Sequence, residues 1–287
     1  MGDKTKIDWC DASWNPVTGC LHGCKYCYAR KIAQRFGAHC AECVESDFVR
    51  KPDGSTEIVG GEQIHFHILN EPFFPEWHGT INGVCVGYRS ESPNPYPFDF
   101  DPTYHLYRLE IPKGWKKPKT IFVCSMADLF GDWVPYNVIQ EVFDTCLATP
   151  KHRYLFLTKN PGRYLEMDRR GFLPHQFWYG YTATRNDDLW RFKHADDCPC
   201  TNLFVSIEPI QEQMSPGFCS HVPADWVIVG AETGNRKGKV VPEKAWIMDI
   251  AEECELSGIP VFMKESLRGI MGEDFRQEFP WEGENND

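Results

Sequence analysis

No apolar run in this sequence is long enough to cross a bilayer, and the opening Met1-Gly-Asp-Lys-Thr-Lys6 lacks the apolar stretch of a secretory signal. A cytoplasmic protein with no membrane partner is the expectation. Positive charge is also scarce: the formal net charge of -11 excludes a protein held on nucleic acid mainly by phosphate neutralisation. Lys113, Lys116, Lys117 and Lys119, with Trp115 among them, are the one basic strip worth noting, and a solvated loop explains them as well. No GxGxxG turn follows an early strand, which speaks against a dinucleotide-binding doubly wound sheet. Apolar residues are not lacking. At 42% of 287 residues they suffice for a sizeable core.

Cysteine is abundant instead. In a reducing compartment 13 cysteines point to metal, cluster or buried apolar roles rather than to disulfides. Cys20, Cys24 and Cys27 lie in the run Gly19-Cys-Leu-His-Gly-Cys-Lys-Tyr-Cys-Tyr28. The CxxxCxxC spacing supplies three thiolates from one loop, one fewer than a closed tetrahedral zinc site or a fully ligated four-iron cluster needs. A cluster held this way keeps one iron open to a small chelating molecule, whereas a distant fourth ligand would complete a zinc site. Gly19 and Gly23 let the backbone fold closely around either centre. His22 and Lys25 are expected to face solvent, and a helix is expected over 28–36, where Ile32, Ala33 and Phe36 fall at helical spacing.

Short β-rich runs recur at 17–19, 64–69, 120–124, 154–157, 178–182, 203–207, 226–229 and 260–263. Helical stretches are read at 137–148, 162–170, 187–195 and 243–257, with Gly258 as the last stop. This alternation predicts an α/β fold: a (β/α) barrel of six to eight parallel strands, closed or partly open. Residues 1–272 form its single domain, with a long insertion between the first and third strands at about 37–118. Residues 273–287 form an acidic, flexible tail. In such barrels chemistry sits where strands end. The polar residues at those ends include Asn70 and Glu71, Ser125 and Asp128, Thr158 and Lys159, Thr182 and Thr184, Glu208, Glu232, and Lys264 with Glu265.

The cysteine run, with Tyr26 just before the third cysteine, resembles the signature of the radical S-adenosylmethionine (SAM) superfamily. The likeness extends to a narrower, phage-associated group of uncharacterised three-cysteine proteins. It rests on the stretches from Asp11 to Cys20, Val123 to Phe130, Leu157 to Pro161, Ser206 to Pro209 and Asp225 to Gly234. The chain departs from that group in a shorter cysteine loop and in the insertion at about 37–118. The resemblance implies that Cys20, Cys24 and Cys27 each ligate one iron of a [4Fe-4S] cluster and that SAM chelates the fourth. It implies an external electron donor and reductive cleavage of SAM to a 5′-deoxyadenosyl radical, which abstracts hydrogen from a substrate, a nucleotide or nucleic-acid base being the first guess. On this reading Tyr26, Glu71, Ser125, Asp128, Lys159, Glu208, Glu232 and Lys264 are the candidate cofactor-binding residues. Glu71 would accept the SAM amino group, Lys159 and Lys264 would face a carboxylate, and Ser125 and Asp128 would hold ribose hydroxyls. Two other classes stay open: a cluster-binding regulatory protein that cleaves no SAM, and a zinc-stabilised barrel hydrolase with Glu208 and Glu232 as paired carboxylates.

Cys40, Cys43, Cys198 and Cys200 form two close pairs that could share a second metal, zinc before iron-sulfur, with unligated thiols as the alternative. Cys124, Cys146 and Cys254 read as core residues. Segment 72–105 is rich in proline and aromatics and would serve as a lid or as an edge seal.

Overall fold

The structure is a computed structural model that describes residues 5–37, 66–81, 84–188, 202–221 and 223–282. In chain order the strands are β1 (Ala12–Trp14), β2 (Val17–Thr18), β3 (His67–Leu69), β4 (Glu76–Ile81), β5 (Val84–Arg89), β6 (Thr103–His105), β7 (Thr120–Val123), β8 (Arg153–Thr158), β9 (Trp178–Thr182), β10 (Leu203–Ile207), β11 (Trp226–Val229) and β12 (Val261–Met263). The helices are α1 (Tyr28–Phe36), α2 (Ile111–Gly114), α3 (Tyr136–Leu147), α4 (Gly162–Arg169), α5 (Phe218–His221), α6 (Lys244–Ser257) and α7 (Arg268–Met271). The chain forms two compact units. One holds Met1–Ser13, Lys117–Val123 and Pro150–Asp287; the other holds Trp14–Lys116 and Cys124–Thr149.

The first unit is built on a curled, mostly parallel sheet in the order β1-β7-β8-β9-β10-β11-β12, an open half-barrel. Strands β7 to β12 pair parallel and in sequence order, so each connection crosses over and returns beside the strand it left. Six of the eight expected runs are therefore consecutive sheet strands. Side chains alternate between faces along each strand. One face gathers Phe122, Leu155, Phe204, Trp226, Ile228 and Phe262 around Trp9, all nearly or fully buried. Burying such side chains contributes about 1.5–3 kcal/mol each. Gly180 lets this layer close, since a Cβ there would come within 2.3 Å of the Phe204 ring. On the opposite face Tyr164 of α4 packs on Tyr179 with ring centroids 4.9 Å apart, and its hydroxyl donates to the Gly180 carbonyl. Helix α6 ends at Gly258 in the left-handed region (φ 67), as the stop signal predicts.

Residues 276–278, at the start of the expected acidic tail, line the outer edge of β12. The Met263 amide donates to the Arg276 carbonyl and the Glu278 amide to the Val261 carbonyl. Phe279 and Trp281 pack against the Trp9 layer. The polar edge of a strand is thereby covered rather than left to solvent.

The other two expected barrel strands are not in this sheet. Within the second unit, β2 pairs antiparallel with β6, and β3 pairs parallel with β6 on its other side. Strands of two and three residues carry too little pattern to specify a partner, so runs 17–19 and 64–69 announced strands without announcing which sheet. This unit also holds the β4–β5 hairpin. A small core of Ala29, Ala33, Tyr96, Phe100 and Met126 packs against Cys20 and Cys27. The aromatic segment thus contributes Tyr96 and Phe100 to the floor under the cysteine loop. Helix α1 spans the expected residues, but Ala29 and Ala33 are its buried stripe, with Ile32 37% and Phe36 56% exposed. In α3 the stripe Val138, Ile139, Val142, Phe143 and Cys146 is buried, as 3.6-residue spacing requires. The helix expected over 187–195 falls mostly outside the described residues, with 186–188 forming a short turn.

Candidate metal centre

The cysteine loop follows β2 and is fixed from both ends. Gly19 makes an isolated parallel bridge with Ala127, and its amide donates to the Met126 carbonyl. Its φ of 84 and the 2.1 Å that would separate a Cβ from the Asp101 carbonyl oxygen admit only glycine. The Cys20 amide donates to the Phe100 carbonyl and the Cys27 amide to the Cys24 carbonyl. Cys27 is the N-cap of α1, where its Sγ accepts the Arg30 amide at 3.3 Å. Arg30 returns to the loop: Nη2 donates to the Cys20 carbonyl at 3.1 Å, and the guanidinium lies over the Phe100 ring. Asn15 anchors the facing turn, its Oδ1 accepting the Met126 amide at 2.9 Å and the Ser125 hydroxyl at 3.2 Å. Buried Arg108 in turn donates to the Asn15 carbonyl.

Asp128 is buried with both oxygens engaged. Oδ1 accepts the Phe130 amide at 3.0 Å, and Oδ2 is 2.7 Å from His22 Nε2. His22 is thus tied to Asp128 and set edge-on to Trp133, contrary to the solvent-facing expectation. Lys25 is exposed as expected, and Tyr26 is half-buried. The Tyr28 hydroxyl donates to the Ser125 carbonyl at 2.6 Å. Glu71 is exposed, and it follows β3 of the small sheet rather than a strand of the half-barrel.

The three thiols of the loop are the donors a metal centre would use. Burial, joined by the charges of Asp128, Cys24 and Cys27 and opposed by a backbone hydrogen bond from His22, pushes the Cys20 thiol up to about 12. A metal centre would relieve that negative potential, and Cys27 stands at the N-cap of α1. Among the described residues no three His, Cys, Asp or Glu side chains converge as ligands of a single ion. Cys40, Cys43, Cys198 and Cys200 lie outside the described residues.

In the first unit the polar strand ends are largely spoken for. Lys264 Nζ pairs with Glu208 Oε2 at 2.7 Å, across the end of β11 that lies between their strands. Gly230 permits this, because a Cβ there would reach within 2.8 Å of Lys264 Cδ. Burial pulls the Lys264 ammonium down, but the Glu208 carboxylate outweighs it and holds the group above its usual value. Glu208 Oε1 is buried without a hydrogen bond. Glu232 is bound by Arg236 through two bonds of 2.6 and 2.7 Å, so Glu208 and Glu232 each have a cation of their own. Thr184 caps its own turn through Asp188, and Thr158 Oγ1 accepts the Asn160 amide. Lys159 is half-buried after β8.

Sequence reasoning missed Asn15, Arg30 and Arg108. Asn15 stood within the quoted 11–20 segment, but nothing in the string pairs it with a turn more than a hundred residues away.

A family model matches residues 4–81 and 88–273. The chain belongs to that family, described as a protein of unknown function (DUF5131). The DUF5131 match runs through the 37–118 segment except for 82–87. No curated protein matches the chain. Among solved structures, a cysteine mutant of spore photoproduct lyase is similar at 11% identity and a TM-score of 0.47, over 92% of this chain and 81% of that one.

Proposed function

We propose that this DUF5131 protein is a radical SAM enzyme whose Cys20, Cys24 and Cys27 hold a [4Fe-4S] cluster. The observation that carries the reading is the loop: three thiols on one turn, locked by Gly19, Arg30 and Asn15. When bound, the cluster and SAM would supply a one-electron cleavage that yields a 5′-deoxyadenosyl radical. The chain's own residues do the rest. Cys27 presents its sulfur at a helix N-terminus. Phe100 and Met126 form the apolar floor against which Cys20 and Cys27 pack. The Asp128–His22 pair fixes the loop's outer rim.

Tyr26, Glu71, Ser125, Asp128, Lys159, Glu208, Glu232 and Lys264 remain the proposed SAM and substrate contacts. Among them Lys264 already pairs with Glu208, so a bound carboxylate would have to join or displace that pair. An external reductant supplies the electron, and nucleotides and nucleic-acid bases are the first substrates to screen. The test is anaerobic iron reconstitution followed by dithionite and SAM. Iron incorporation with release of 5′-deoxyadenosine, both lost in Cys24→Ser, is the expected result. A colourless protein that takes up zinc at the loop would overturn the reading. A stable cluster with no SAM cleavage would leave the regulatory class in its place.

A further inference from the structure

We propose that the amino-terminal edge of the parallel sheet carries a phosphate site for a mononucleotide, built from Lys119, Lys151 and Arg153 with Trp178 beside them. These residues line a cavity of about 450 Å³, at the strand starts and so at the opposite ends of the strands from Lys264 and Glu208. The topology gathers them. The Lys119 carbonyl accepts the Arg153 amide at 2.9 Å, so the two residues stand side by side where β7 and β8 begin, and Lys151 is two residues upstream. Arg153 is held in place: Nη1 donates to Thr120 Oγ1 at 3.3 Å, and the guanidinium lies 4.1 Å over the Trp281 ring. Trp281 in turn packs edge-on against Trp178.

Asp11 is the acidic residue of the lining, and its Oδ2 already accepts the Thr120 amide at 2.7 Å. Three cations against one engaged carboxylate make a local positive field in a chain of net charge -11. A concave wall focuses that field on an anion. A guanidinium fork matches phosphate geometry, and an indole offers a flat face to a base. The volume suits one nucleotide rather than a strand. Lys119 belongs to the basic strip noted in the sequence, whose partners from 151–153 only the fold supplies.

The experiment is titration of the full chain, without added iron or SAM, with uridine 5′-monophosphate, uridine and inorganic phosphate. The nucleotide is expected to bind, uridine not measurably, and phosphate more weakly than the nucleotide. Lys119→Gln with Lys151→Gln is expected to weaken nucleotide binding about tenfold or more, the effect of losing charged hydrogen bonds. Exposed Lys151→Gln alone is expected to weaken it in the same direction, should the double variant fold poorly. Unchanged affinity in Lys151→Gln, equal binding of uridine, or no nucleotide binding would each overturn the site. The outcome is independent of the cluster, since no iron is present.

Discussion

The cysteine loop and the ends of the parallel strands are both rich in groups that react or bind, yet they are held in opposite ways. In the loop the backbone does the holding. Gly19, Cys20 and Cys27 spend their amides on the Met126, Phe100 and Cys24 carbonyls, and Asn15 and Arg30 brace what remains. At the strand ends the side chains spend themselves on one another, Lys264 on Glu208 and Arg236 on Glu232. The loop thus fixes its scaffold through the main chain, with Cys27 Sγ accepting the Arg30 amide. Ion pairs that satisfy their own charges first stabilise the place where they sit.

The largest expected effect that would break this contrast is Cys24→Ser, which should abolish iron retention and 5′-deoxyadenosine release while leaving the circular dichroism spectrum in place. Retained iron at the wild-type level would move the centre elsewhere. Next is Gly19→Ala. A Cβ in the left-handed region and against the Asp101 carbonyl should cost about 3 kcal/mol and lower iron uptake together with melting temperature. Wild-type values for both would show that the bridge to Ala127 is dispensable.

At the strand ends, Gly230→Ala should displace Lys264 from Glu208 and cost about 1–2 kcal/mol, read by chemical denaturation. The pair has a pH signature of its own. Lys264 is raised above its ordinary 10.5, so its contribution is complete below that value and is lost as pH climbs through the raised one. The stability gap between wild type and Glu208→Gln should therefore hold at neutral pH and close in the strongly alkaline range. A gap that persisted there would mean packing, not charge, holds Glu208. The last variant is Arg236→Gln, which takes the guanidinium from the nearly buried Glu232 carboxylate; a lowered melting temperature is expected, and an unchanged one would show that the pair does not hold this turn.

Much of the half-barrel was legible because each of its strands is a separate apolar run. Strands at 120–124, 154–157, 178–182, 203–207, 226–229 and 260–263 each announce themselves by composition, and parallel order follows from the helices between them. The first two runs misled because two or three residues do not encode a partner, and β6, which both of them join, was not anticipated at all. Helix α1 has its expected bounds, but of Ile32, Ala33 and Phe36, which share its spacing, only Ala33 is buried; the floor under the cysteine loop takes the small Ala29 and Ala33. The loop that carries the three cysteines was legible from spacing, whereas the strand before Glu71 belongs to the small sheet and not to the half-barrel.

By itself the sequence determined the local chemistry: three thiols on a glycine-flanked loop, a helix beginning at the third of them, and six apolar runs spaced for parallel pairing. Those are properties of neighbouring residues, and neighbours are what a string records. Tertiary structure alone decided that Asn15 would reach Ser125 and Met126, that Gly230 would make room for Lys264 to meet Glu208, and that Lys119 would stand beside Arg153. Each of these joins segments more than thirty residues apart, brought within hydrogen-bonding reach by burial of the sheet and loop cores rather than by any signal in the joined residues themselves.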